Sequence, residues 1–103
     1  MPDASEVSIV VDPWVVPDGS QDEFVPALVA LMERLRDLDG FIDGQILEGV
    51  DPTRFVAWAS FASARERDEA FIDSEVDGLL RRLGGIAHPA PQAYSVARRF
   101  GRD

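Results

Sequence analysis

The run Arg54–Phe61, RFVAWASF, carries large apolar side chains in both phases of a period-two alternation. Successive side chains of a β-strand point to opposite faces, so Phe55, Ala57, Ala59 and Phe61 fall on one side and Val56 and Trp58 on the other. Other stretches repeat the pattern: Val7, Ile9 and Val11 oppose Ser8, Val10 and Asp12, while Ile42 and Ile46 oppose Phe41, Asp43, Gln45 and Leu47. A sheet made of such strands needs cover on both faces, because each Å² of apolar surface left in water costs roughly 25 cal/mol. That cover must be found with a chain of only 103 residues.

The order of elements follows from caps and punctuation. Residues 7–12, VSIVVD, are predicted as a strand, and Asp12-Pro13 interrupts it before Trp14-Val15-Val16. Ser20-Gln21-Asp22-Glu23 has the form of a capping box, and Phe24, Leu28, Leu31, Leu35 and Leu38 recur at helical spacing. Pro26 moves the expected start to about Asp22, with the helix running to Asp37. Asp39-Gly40 ends it, and FIDGQILEG (41–49), the turn Val50-Asp51-Pro52-Thr53 and residues 54–61 predict an antiparallel hairpin. Ser63-Ala64-Arg65-Glu66 is a second capping box, opening a helix that carries Ala70, Phe71 and Ile72 inward. Ser74 caps a third short helix with Val76, Leu79, Leu80 and Leu83 on its apolar side, stopped at Gly84-Gly85. Residues 92–100 supply a last strand.

The expected fold class is therefore α+β: a ferredoxin-like β-α-β-β-α-β arrangement, an antiparallel four-stranded sheet with its helices on one face. One domain spans 1–103, with residues 1–6 and 101–103 as flexible ends. Too little chain remains to build a second layer, so the other face is expected to meet a second copy, sheet against sheet, with Ser8, Asp43 and Gln45 pointing into a shared cavity.

Composition narrows the chemistry. A net charge of -9 disfavours nucleic acid and anionic membrane surfaces, which demand clustered cations. The absence of cysteine removes disulfides, iron–sulfur clusters and thiol nucleophiles, and a single histidine leaves no metal-ligand set. No phosphate-binding glycine pattern is present, so no cofactor is indicated. No signal-like segment or bilayer-length apolar run occurs, which makes the cytoplasm the expected compartment.

Gln21-Asp22-Glu23-Phe24 at a helix start, the corner Leu38-Asp39-Gly40-Phe41, the hairpin and the aromatic-x-Ser junction Phe61-Ala62-Ser63 together resemble the antibiotic biosynthesis monooxygenase-like family of dimeric α+β barrels. The family's tryptophan-x-serine fits two registers, Phe61-Ala62-Ser63 or Trp58-Ala59-Ser60, and the first keeps serine on the capping box. Phe61 then replaces the family tryptophan, and Ala57 stands where members that oxidise polycyclic aromatics carry asparagine. Residues 64–83 hold no counterpart of the histidine used by heme-degrading members.

The resemblance implies a cofactor-independent oxygenase-like homodimer acting on an aromatic or polyketide-derived molecule, in a cavity between sheet and helices or at the dimer barrel. A cyclase or isomerase using the same cavity, and a non-catalytic ligand-binding module, remain open. His88 and Asp43 are the candidate bases, with an exposed loop histidine and a hydrogen-bonded interface pair as the plainer alternatives. Gln45 and Tyr94 would orient substrate oxygens. Phe55, Ala57 and Phe61 would line a gap for a flat ring, while Trp58, also counted among the substrate contacts, is expected to abut the helices with Val56.

Overall fold

A computed structural model describes residues 6–89 and 92–102. The expected ends, 1–6 and 101–103, fall mostly outside this range. The elements are β1 (Ser8–Val15), α1 (Gln21–Arg36), β2 (Phe41–Glu48), β3 (Arg54–Phe61), α2 (Ala64–Phe71), α3 (Ser74–Gly84), β4 (His88–Pro89) and β5 (Gln92–Ser95). The strands form one antiparallel sheet in the order β2-β3-β1-β4, and β5 pairs the same edge of β1 further along. This is the ferredoxin-like order, with the last strand supplied in two pieces.

All three helices lie on one face. Phe24, Ala27, Leu28, Leu31 and Leu35 of α1 are buried against the sheet, joined by Val76 and Leu83 of α3 and by Ala70 of α2. Aromatic rings thread this layer: Trp14 stands 5.4 Å from Phe24, Phe24 5.3 Å from Phe55, and Phe61 5.9 Å from Phe41. Such tilted contacts add to the burial of area. The bidentate Arg34–Asp73 pair, at 3.1 and 2.9 Å, ties α1 to the start of α3.

Several local expectations are corrected. β1 runs unbroken through Asp12-Pro13. α1 begins at Gln21, leaving Pro26 in its second turn; Pro26 and Asp22 are both exposed, so the proline that costs the Asp22 carbonyl its helical partner sits on the solvent side of the helix. Ser20 makes no side-chain cap, because its N–H closes a turn on the Pro17 carbonyl and its backbone is not extended. Asp73, not Ser74, caps α3 by accepting from the Val76 N–H at 3.1 Å. Ile72 is 80% exposed, since α2 ends one residue before it.

The face assignment of β3 is also reversed. Phe55, Ala57, Ala59 and Phe61 turn toward the helices and are buried, whereas Val56 and Trp58 lie on the open face. Ser8, paired with Phe61, goes to the helix side as well. The reason is steric: α1 sets Leu28, Leu31 and Leu35 down on the sheet, and the small side chains Ala57 and Ala59 make room for them. A Cβ added at Gly44 on neighbouring β2 would approach the Trp58 carbonyl to 2.6 Å and Met32 Cε to 2.7 Å, so the same close approach continues there. A bulge between Phe41 and Asp43 inserts Ile42, which lets Phe41 face the core while Asp43 faces away.

Candidate functional site

Cross-strand pairing sorts the functional side chains into two places. On the helix side, Ser8, Val10, Asp12 and Trp14 of β1 stand beside Phe61, Ala59, Ala57 and Phe55 of β3. Asp12 is thus next to the smallest side chains of the layer. There, beneath Leu31, Met32 and Leu35 of α1 and Phe71 of α2, is a cleft of about 20 Å³, lined by apolar groups apart from Asp12.

Asp12 is only 8% exposed, and its Oδ1 has no hydrogen-bond partner among the described residues. Burial raises its pKa from 3.8 to about 6; the indole N–H of Trp14 lies close enough to temper that rise. The two fall short of hydrogen-bond geometry, and Trp14 Nε1 has no other partner among the described residues. Two unpartnered buried polar atoms in so small a domain need a purpose, since each costs about 1–3 kcal/mol if nothing meets it. Asp12, a carboxylate of elevated pKa lining an apolar cleft, can take a proton, and the Trp14 N–H close to it is a donor for negative charge.

The open face holds most of the residues singled out from sequence. Gln45 Oε1 accepts from Trp58 Nε1 at 3.1 Å, and the Ser60 hydroxyl donates to Asp43 Oδ1 at 2.5 Å. Tyr94 lies on this face opposite Ile9, and His88 opposite Val15. Asp43 and Tyr94 occupy one row but are separated by β3 and β1, roughly 14 Å at ordinary strand spacing. His88 stands about 20 Å further along β1 by strand rise, so it and Asp43 do not converge on one small molecule.

The candidates therefore divide: Phe55, Ala57 and Phe61 belong to the interior, while Asp43, Gln45, Trp58, Tyr94 and His88 belong to the open face. Trp58 stands on the sheet's far side from the place expected of it. Asp12 was absent from the sequence candidates, although one signal marks it: a lone carboxylate sharing an alternation phase with Ser8, Val10 and Trp14. Among the described residues no group of three or more His, Asp or Glu side chains is placed to hold a metal ion. No helix among them is long and apolar enough to cross a membrane.

No family model and no curated protein matches the sequence. Solved structures do match the fold. SnoaB, a cofactor-independent oxygenase from Streptomyces nogalater, superposes with a TM-score of 0.87 at 13% identity, over 94% of this chain and 99% of that one. A candidate antibiotic biosynthesis monooxygenase from Nitrosomonas europaea gives 0.83 at 14% identity, over 98% and 100%. Another from Deinococcus radiodurans gives 0.84 at 13% identity, over 93% and 98%. The likeness spans these proteins from end to end, and the fold of this chain is that of the antibiotic biosynthesis monooxygenase-like proteins.

Proposed function

We propose that the chain is a cofactor-independent monooxygenase-like enzyme acting on an aromatic or polyketide-derived molecule, with Asp12 as its base and the cleft between sheet and helices as its site. The observation that carries this reading is Asp12 itself: buried, lacking a partner at Oδ1, raised to about 6 and aimed into an apolar space. The fold it shares with an oxygenase adds support.

In this reading Asp12 removes a proton from an activated ring carbon, and the Trp14 N–H stabilises the oxygen on which negative charge collects. The electron-rich anion reduces oxygen directly. Conversion of a ring methylene to a carbonyl releases four electrons, enough to reduce one O₂: one oxygen atom stays as the carbonyl and the other leaves as water. No external reductant is needed. The protein works as a homodimer in the cytoplasm, its open face, with Val11, Val56 and Trp58 at the centre, covered by the same face of a second copy.

The test is oxygen uptake with anthrone as the probe. One O₂ consumed per anthrone is expected, with kcat/KM rising with pH through about 6 as Asp12 ionises. Asp12→Asn should lower kcat on the order of 10²–10⁴-fold. Rearrangement of the probe without oxygen uptake would move the reading to a cyclase or isomerase. Binding without turnover would leave a ligand-binding module.

A further inference from the structure

A cleft of about 20 Å³ has room for one water-sized molecule, whereas small-molecule sites run to roughly 300–1,000 Å³. Something must move before a ring reaches Asp12. Immediately outside lies a second depression of about 210 Å³, lined by Val10, Arg67, Asp68, Phe71, Gln92 and Ala93. The two spaces share Val10 and Phe71. Val10 belongs to a central strand and is fixed by pairing on both sides. Phe71 is the movable part of the partition.

The position of Phe71 suits motion. It is the last residue of an eight-residue helix in which only Ala70 is buried, and the next residue, Ile72, is exposed. Its ring is only partly buried against the core, leaning edge-on against Phe61 at 6.2 Å. An element with so little buried area opens at low cost. One turn earlier on the same helix face, Arg67 donates from Nη1 to the buried Ser8 Oγ at 2.8 Å, tying α2 across β1. Its Nε and Nη2 donate to Asp68 Oδ1 at 3.0 and 2.7 Å.

We propose that Phe71 is the gate to the interior cleft, latched by the Arg67–Ser8 hydrogen bond, and that this gate admits neutral flat aromatic ketones and turns away their carboxylated counterparts. This rests on reading the cleft as the substrate site. Selection follows from the chemistry of the mouth. Among the described residues Arg67 spends three of its five N–H groups, leaving two for a carbonyl oxygen, while its charge is already matched by Asp68. A carboxylate would shed its hydration between Val10, Phe71 and Ala93 and meet no net positive charge there.

The experiment is stopped-flow binding, read by tryptophan fluorescence, with 9-fluorenone as the neutral probe and fluorenone-4-carboxylate as the charged one. The association rate for 9-fluorenone should rise about tenfold in Phe71→Ala and fall about tenfold in Phe71→Trp, with Phe71→Leu between the parent and Phe71→Ala. Arg67→Ala, which frees the latch, should also speed association. The carboxylate should bind the parent at least about tenfold more weakly.

Rates within twofold of the parent in both Phe71→Ala and Phe71→Trp overturn the gate, as does failure of 9-fluorenone to bind any variant. Equal affinity for the two probes overturns the selectivity. Oxygen uptake by Asp12→Asn separates this proposal from the oxygenase reading. If that variant leaves oxygen uptake intact while the Phe71 effects hold, the gate stands and the oxygenase chemistry falls.

Discussion

Asp12 sits where its charged form is disfavoured, and that has a thermodynamic sign. A carboxyl raised to about 6 binds its proton more tightly in the folded chain than in the unfolded one. Its contribution to stability is complete below pH 3.8 and is lost as pH rises through about 6. The gap amounts to about 3 kcal/mol at 1.36 kcal/mol per pH unit. Asp12→Asn should therefore be more stable than the parent at pH 8, by up to about 3 kcal/mol, and lose that advantage by pH 4. Urea unfolding at pH 4, 6 and 8 measures this, and parallel curves would refute the burial of a titrating carboxyl. The sequence pointed instead to Asp43, because a carboxylate on an otherwise apolar strand is conspicuous. Asp43 is exposed and meets Ser60. What separates the two aspartates is which layer lies above each, and that depends on packing rather than on either residue's neighbours in sequence.

At the scale of the element, two identical-looking signals have different fates. Ser63-Ala64-Arg65-Glu66 forms its serine cap: Ser63 Oγ accepts the Glu66 N–H at 3.2 Å, and its hydroxyl donates to Glu66 Oε1. Ser20-Gln21-Asp22-Glu23 does not, since the turn before it fixes the Ser20 backbone, and the Ser20 carbonyl takes the Glu23 and Phe24 amides. Ser63→Ala is expected to cost about 1 kcal/mol, and Ser20→Ala close to nothing. Thermal denaturation of the two variants under one condition checks the contrast; equal losses would mean that the cap of α2 is not formed in solution. The element order was legible because helix stops, glycines and the turn at Asp51 to Thr53 act locally. The Asp51 carboxylate does bind the Thr53 N–H and hydroxyl, at 2.9 and 2.7 Å. The cap of α3 was displaced by one residue, because Asp73 also answers Arg34 from a helix far away in sequence.

The whole molecule is a slab, 43 by 35 by 19 Å, whose short dimension holds one sheet and one layer of helices. Its open face leaves Val15, Leu47 and Tyr94 40, 46 and 51% exposed around Trp58. Under the proposed pairing, sedimentation should give twice the 11.3 kDa of one chain, and Val11→Arg, which sets a charge between Trp58 and Gln92, should return it to a single chain. A parent that sediments as one chain at micromolar concentration would refute the pairing. That both faces carry large apolar side chains was legible from RFVAWASF alone. Which phase faces the helices was not, because Trp58 looks like a core residue until Trp14 is seen filling that place with Phe24. The bulge at Ile42 has the widest reach. It resets the alternation of β2, so that one strand offers an aromatic ring to the interior and, immediately afterwards, a run of polar groups to the outside. A strand that held Phe41, Ile42 and Asp43 in strict alternation would have to surrender one commitment: either Phe41 leaves the company of Phe61, or Asp43 and Gln45 turn inward beneath Met32. Setting the spare residue aside is thus what lets β2 serve both sides of the sheet.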